Sequence, residues 1–398
     1  FKKLIFTILL ILSVTFSYSQ YVNDALKFSS QNTFGTSKFN SMSGAFGSLG
    51  GDFSNLSHNP AGLGMYQFSE FTYTNSFGRN IDYLRFSITD RCDLRCRYCM
   101  PQKMTFTEKK DMLNLEQLKR LSSLFIKLGI KKIRITGGEP LIRKDLIPFI
   151  KYLKKKLDAK FLNELTMTTN GTLLEKYAKE IYECGIKRLN VSLDTLIPEK
   201  FNFITNGGNL NKVLSGISRA SEEGIKIKIN CVLLKNFNEE EIIPLLKWCS
   251  KNKFILSFIE TMPLGEIKYS RKEQFLPISF AKKIIEKEFG LISSNYKTNG
   301  PSRYFLCKKL NSEIGFISPL SNHFCSTCNR IRITSNGILY TCLGHEDSVD
   351  LKPFLNEDDN SKILMNIKNA IYKKPEKHFF EISNKKPTVK RFMNLTGG

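Results

Sequence analysis

From about residue 75 the chain alternates short β-branched runs with amphipathic helical stretches, and this alternation limits the fold more than any other feature. The runs are YLRFSIT (83–89), KIRIT (132–136), ELTMTT (164–169), KRLNVSL (187–193), IKINCVLL (227–234) and FILSFIE (254–260). Between them lie segments such as NLEQLKRLSSLFIKLG (114–129) and NEEEIIPLLKWCSK (238–251). Strands that alternate with helices build a parallel sheet covered by those helices. Six such units predict an α/β fold: an incomplete (βα)6 barrel over residues 75–262, open on one side. Chemistry in such sheets gathers at the carboxyl ends of the strands.

The first 74 residues lack this pattern. Residues 1–20, FKKLIFTILLILSVTFSYSQ, join Lys2 and Lys3 to an apolar run and the small residues Ser17 and Ser19, which is the form of a secretory leader. The apolar run is short for a transmembrane helix. Residues 21–74 are rich in Gly, Ser, Asn and Phe, and QFSEFTYT (67–74) has strand composition. This stretch resembles the mature start of outer-membrane transport barrels of the fatty-acid-transporter type. It is too short to close a barrel, so poor order is expected. Five Lys and Arg stand against three Asp and Glu over residues 1–80, so nearly all of the formal +23 falls on the remainder. Such a balance suits an anionic partner such as nucleic acid, anionic lipid or a nucleotide polyphosphate, or else a lysine-rich solvated surface.

Six of the ten cysteines fall into two tight groups: Cys92, Cys96 and Cys99, then Cys325, Cys328 and Cys342. The other four are scattered, and most sit in apolar-patterned segments as small hydrophobes. The first group, CDLRCRYC, follows the first strand on its C-terminal loop. Three thiolates there can hold three irons of a four-iron four-sulfur (4Fe-4S) cluster, leaving the fourth iron open. Zinc is the alternative, but a structural zinc wants a fourth ligand, and no His lies near. The second group, FCSTCNRIRITSNGILYTC, can likewise be a cluster with an open iron, a zinc knuckle or a redox pair.

Cys92-x3-Cys96-x2-Cys99, with Tyr98 before the last Cys, resembles the signature of the radical S-adenosylmethionine (SAM) superfamily. ITGGEP (135–140), TTNG (168–171) and NVSLD (190–194) match it strand by strand. The resemblance implies that the open iron chelates SAM, that the reduced cluster cleaves it to methionine and a 5′-deoxyadenosyl radical, and that Tyr98, Gly138, Ser192 and Met262 contact SAM. The seven-cysteine pattern of the peptide-modifying members is absent. CSTC followed by Asn-Arg-x-Arg, with Gly397-Gly398 at the terminus, closely resembles the GTP 3′,8-cyclase family of molybdenum-cofactor biosynthesis (MoaA type). The match runs from about Phe77 to the end of the chain. A Gly-Gly end read without the resemblance is a frayed terminus.

The family resemblance implies a radical SAM partial barrel (75–262) and a C-terminal second-cluster domain (263–398). It implies two 4Fe-4S clusters, held by Cys92, Cys96, Cys99 and by Cys325, Cys328, Cys342, and conversion of GTP to (8S)-3′,8-cyclo-7,8-dihydroguanosine 5′-triphosphate. Arg85, Arg134, Thr168, Lys228, Arg330 and Arg332 would bind GTP, and Arg330 and Arg332 also act in catalysis. Arginine forks suit a triphosphate because they meet its oxygens bidentately. At residue 257 the family has Arg where this chain has Ser257, which removes a donor. The implied partners are a reductant of the flavodoxin or ferredoxin type and a downstream cyclic pyranopterin synthase, without nucleic acid; the resemblance allows a homodimer. Alternative readings are a radical SAM enzyme acting on another substrate, and an exported outer-membrane fragment. An oxidising compartment pairs or oxidises free thiols. Residues 1–74 therefore read as foreign to a cytoplasmic enzyme, from a fusion or a gene-model error, and their removal should leave cluster content and activity intact.

Overall fold

The computed structural model describes residues 73–268, 270–382 and 387–397, all within one compact unit spanning Phe71–Gly398. The leader-like segment 1–20 and the barrel-like stretch as far as residue 72 lie outside the described residues, as does Gly398.

In chain order the elements are β1 (Tyr83–Ser87), α1 (Leu115–Lys127), β2 (Lys132–Thr136), α2 (Leu146–Asp158), β3 (Glu164–Thr169), α3 (Leu174–Glu183), β4 (Arg188–Ser192), α4 (Pro198–Thr205), α5 (Leu210–Glu222), β5 (Lys226–Leu233), α6 (Ile242–Lys251) and β6 (Ile255–Glu260). There follow α7 (Arg271–Gln274), α8 (Ile278–Phe289), β7 (Leu291–Ser293), β8 (Arg303–Cys307), β9 (Ser312–Ile317), β10 (Arg330–Ile333), β11 (Ile338–Tyr340), β12 (Ser348–Asp350), α9 (Ser361–Tyr372) and α10 (Met393–Thr396). Strands β1 to β6 pair in parallel and in sequence order, as the alternation predicts. The sheet stays open, running from β12 at one edge to β7 at the other.

Local sequence explains the helices. Asn114 caps α1 by accepting from Gln117 N, and the Gln117 side chain accepts from Asn114 N in return. Leu118, Leu121, Leu124 and Phe125 then recur at helical spacing and bury one face. Against that face stand the outward residues of the strands, including Leu84, Phe86, Ile133, Ile135, Leu165 and Met167. Phe86 meets Phe149 of α2 edge to face at 5.7 Å, a contact worth about 1 kcal/mol beyond its area.

The residues after β6 build no sheet of their own. Strand β9 pairs in parallel with β6, and β10 in parallel with β1, so the C-terminal segment extends both edges of the barrel sheet. Glu260, at the end of β6, fastens it: the carboxylate accepts from Ile278 N, Leu320 N and Ser321 N, each at 3.1 Å, and from the Ser321 hydroxyl. Among the described residues no helix is long and apolar enough to cross a membrane.

Candidate active site

Period-two alternation sends the other residues of these strands to the inner face. Register then lines them up. Arg332, Arg85 and Arg134 lie directly opposite one another across β10, β1 and β2, and the next row contains Arg330, Tyr83 and Lys132. Like charges facing each other across strands destabilise a sheet. The fold bears that repulsion on its inner surface, where an anion can relieve it.

Two adjoining cavities, with empty volumes of about 1070 and 1100 Å³, open on this face and share Asn230, Ile259, Met262 and Met393 in their walls. The first is lined by Cys92, Cys96 and Cys99, with Tyr98, Gly138, Thr168, Ser192 and Met262. The loop after β1 folds back so that Cys99 N and Met100 N both donate to Cys96 O, and Arg95 N and Arg97 N donate to Thr205 O and Ile204 O beside α4. Asn170 Nδ2 lies 3.7 Å from Cys92 Sγ. Gly138 permits the next loop to approach: a Cβ there would stand 2.2 Å from Arg91 O. Tyr98 Oη donates to Asp194 at 2.7 Å, and Asp194 also accepts from Val232 N at 2.8 Å. Burial, against both hydrogen bonds, raises the Asp194 carboxyl to about 6.

The second cavity is lined by Cys325, Cys328 and Cys342 and by seven basic side chains, Arg85, Arg134, Arg188, Lys228, Arg330, Arg332 and Lys374, with no Asp or Glu among its described lining residues. The hairpin of β10 and β11 explains the long gap before the last Cys. Its turn at Gly337 (φ +90°) reverses the chain and returns Cys342 alongside Cys328. Asn329 Nδ2 donates to Asp82 at 2.6 Å and Arg79 Nη1 to Cys325 O at 2.8 Å, which pins the CSTC turn to the barrel entrance. Lys228 Nζ donates to Tyr304 Oη at 2.7 Å. Burial, then Arg134, Arg188 and Lys132, press its proton affinity well below the usual lysine range. Burial favours the neutral phenol of Tyr83, yet Arg134, Arg85, Lys132 and Arg330 outweigh it and draw the group down to about 8.

Both thiol trios suit iron–sulfur ligation. All six sulfurs are free thiols, and each trio lines one cavity wall. Three soft sulfurs without His or carboxylate are a cluster donor set. Burial, Glu139, Asp93 and Cys99 raise Cys92, and burial, Cys99 and Cys92 raise Cys96, a resistance to ionisation that a bound metal would offset. At Cys328 burial opposes ionisation, but Arg330 and Lys374 overcome it and bring the thiol down to about 6.

Thus every cysteine expected as a ligand lies in a cavity wall, and the residues expected near SAM gather in the first cavity. Arg85, Arg134, Lys228, Arg330 and Arg332 gather in the second. Thr168, expected with the nucleotide, lines the first cavity instead, with its hydroxyl accepting from Arg134 Nη1 at 3.3 Å. Ser257 lines neither; its hydroxyl pairs with Ser302 Oγ at 3.1 Å over Gly315. Gly397 O accepts from Arg332 Nη1 at 2.9 Å, while Asn394 Nδ2 donates to Asp90 O at 2.8 Å. Sequence reasoning missed Arg188 and Lys374 in the second cavity, Asp194 bonded to Tyr98, and Arg271 in the wall of the first cavity. The first two are single cations in a lysine-rich chain, and only NVSLD gave any signal for Asp194.

Residues 86–249 match the Radical SAM superfamily and residues 254–380 match Molybdenum Cofactor Synthesis C. The GTP 3′,8-cyclase of Bradyrhizobium diazoefficiens is 48% identical over 82% of this chain and 95% of its own length. That of Rhizobium etli is 49% identical over 81% and 93%. Among solved structures, SuiB of Streptococcus suis superposes with a TM-score of 0.51 at 15% identity, covering 75% of this chain and 68% of that one. SuiB bound to S-adenosylmethionine gives 0.51 at 17%, covering 84% and 80%; at such identities the likeness is one of fold. The chain belongs to the GTP 3′,8-cyclase family of the radical SAM superfamily.

Proposed function

We infer that the adjoining cavities carry out the family's reaction, conversion of GTP to (8S)-3′,8-cyclo-7,8-dihydroguanosine 5′-triphosphate, the first step of molybdenum-cofactor biosynthesis. One observation carries this reading: a cavity walled by seven basic side chains and three thiols, with no carboxylate among its described lining residues, adjoins a second three-thiol cavity. A multiply charged anion is the ligand that such a wall stabilises, since buried cations need a counter-charge.

The first trio would hold a 4Fe-4S cluster that, with SAM bound, supplies the 5′-deoxyadenosyl radical for removal of the ribose 3′ hydrogen. In this reading Tyr98, Gly138, Ser192 and Met262 orient SAM. The second trio would hold a second cluster, which would supply an iron site for the guanine. Arg85, Arg134, Lys228, Arg330 and Arg332 bind the triphosphate, and charge-assisted forks of this kind fix orientation as well as affinity. Arg188 joins them in the same wall. Ile259, Met262 and Met393, between the two cavities, exclude water from the path between SAM and the ribose. Arg332, bonded to Gly397 O, ties the C-terminal turn beside the nucleotide.

The remaining proposals concern partners. A flavodoxin- or ferredoxin-type reductant delivers electrons, a cyclic pyranopterin synthase consumes the product, and the enzyme works in the cytoplasm, as a monomer or homodimer. The test is anaerobic reduction of the protein with SAM and GTP. The expected result is cyclised nucleotide together with 5′-deoxyadenosine in equal amounts. Radical formation that consumes SAM but leaves GTP intact would move the assignment to another substrate.

A further inference from the structure

Lys374 is 1% exposed, although it follows the surface end of α9 directly and its neighbour Lys373 is exposed. Its ammonium donates to Arg330 O at 2.9 Å and to Thr341 O. Arg330 stands two residues after Cys328, and Thr341 stands immediately before Cys342. The ammonium thus bridges the two segments that carry these thiols. The backbone is clamped as well: Lys374 O accepts from Asn75 Nδ2 at 3.1 Å and from Arg79 Nη2 at 3.3 Å. Burial weighs most against its ammonium and Arg79 and Arg330 add to that, while the Cys328 and Cys342 thiols beside it favour the charge. A neutral donor could satisfy two carbonyls. A buried positive charge is costly unless an anion faces it.

We propose that Lys374 is a positioning and charge-compensating residue for the second cluster: its ammonium braces the Cys328 and Cys342 segments and raises the cluster's reduction potential. The inference rests on the reading that this trio holds a 4Fe-4S cluster. One-electron reduction adds one negative charge to the cluster and no proton. A cation held beside it stabilises the reduced form, because net charge, hydrogen bonding and solvent exposure set such potentials. The low local dielectric enlarges the effect. Arg330 adds to it, with Nη2 3.8 Å from Cys328 Sγ; both residues line the second cavity, and Lys374 is set apart by its donations to the backbone carbonyls of the two ligand segments.

The test uses the full chain with Cys92, Cys96 and Cys99 replaced by Ser, reconstituted with iron and sulfide so that only the second trio can load. Lys374→Met and Lys374→Arg are compared with this parent by iron analysis and by a dithionite potential titration followed by electron paramagnetic resonance. The expected result is a more negative midpoint potential in Lys374→Met and a potential near the parent's in Lys374→Arg. Loss of iron from Lys374→Met with retention in Lys374→Arg also supports a requirement for the charge. Loss from both variants overturns it, leaving a brace that depends on shape alone. A loaded Lys374→Met that titrates with the parent refutes the inference by itself. A parent that binds no iron refutes the two-cluster reading underneath it.

Discussion

Replacing Lys228 by Met should move stability and binding in opposite directions. Lys228 is 4% exposed and lies among Arg134, Arg188 and Lys132, with Tyr304 Oη its hydrogen-bond acceptor. In the nucleotide-free protein this charge is a net cost. Removing it, less about 1 kcal/mol for the lost Tyr304 bond, should raise stability by about 1–2 kcal/mol. That corresponds to a rise in Tm of about 2–4 °C. The same ammonium, facing phosphate, is worth about 1.5–3 kcal/mol, so GTP affinity should fall about 10- to 150-fold. The sign with pH follows from a folded-state proton affinity below the unfolded one. The penalty is full below the folded pKa and fades as pH rises through the ordinary lysine value of 10.5. The two proteins should therefore converge in stability at alkaline pH. Thermal melts of the nucleotide-free proteins and anaerobic equilibrium dialysis with GTP make the check. A variant that melts lower at neutral pH and binds GTP like the parent would refute the reasoning.

Other outcomes follow from the same geometry. Cys96→Ser should lose roughly half the iron and all SAM cleavage, and Cys328→Ser the other half, as metal and sulfide analysis will show. In Gly138→Ala the new Cβ would meet Arg91 O at 2.2 Å, so melts should fall by about 1–3 kcal/mol and SAM binding should weaken. Asp194→Asn leaves Tyr98 with a weaker acceptor, so SAM affinity should fall about fivefold, for roughly 1 kcal/mol. With its carboxyl raised to about 6, Asp194 in the parent costs stability as pH climbs from about 4 through 6; the Asn variant should lose that slope in pH-dependent melts.

Much of this was legible before any coordinates. The runs at 132–136 and 164–169 coincide with β2 and β3, because β-branched composition and period-two burial agree there. The run at 83–89 extends two residues beyond its strand. Strand β1 ends at Ser87, where the chain turns toward the first thiol loop and Gly138 N takes Thr89 O. The C-terminal domain is legible in the sequence, but the joining of its strands to both edges of the barrel sheet is a pairing between distant segments that no local pattern reports. Family resemblance singles out Thr168 and Ser257 without saying where their side chains go, and the partners Arg134 and Ser302 set that in the fold.

The sequence by itself determined the chemistry that can occur: six thiols in two spacings, glycines where the backbone must approach closely, and alternating Arg on strands of period two. These are local properties, carried by residue type and interval. Only the tertiary structure decided which cations count. Parallel register sets Arg332, Arg85 and Arg134 in one row, a hairpin returns Cys342 to Cys328, and packing buries Lys374 while its neighbour Lys373 stays in water. Burial and register come from contacts between residues far apart in the chain, and these contacts convert an ordinary basic composition into an anion site.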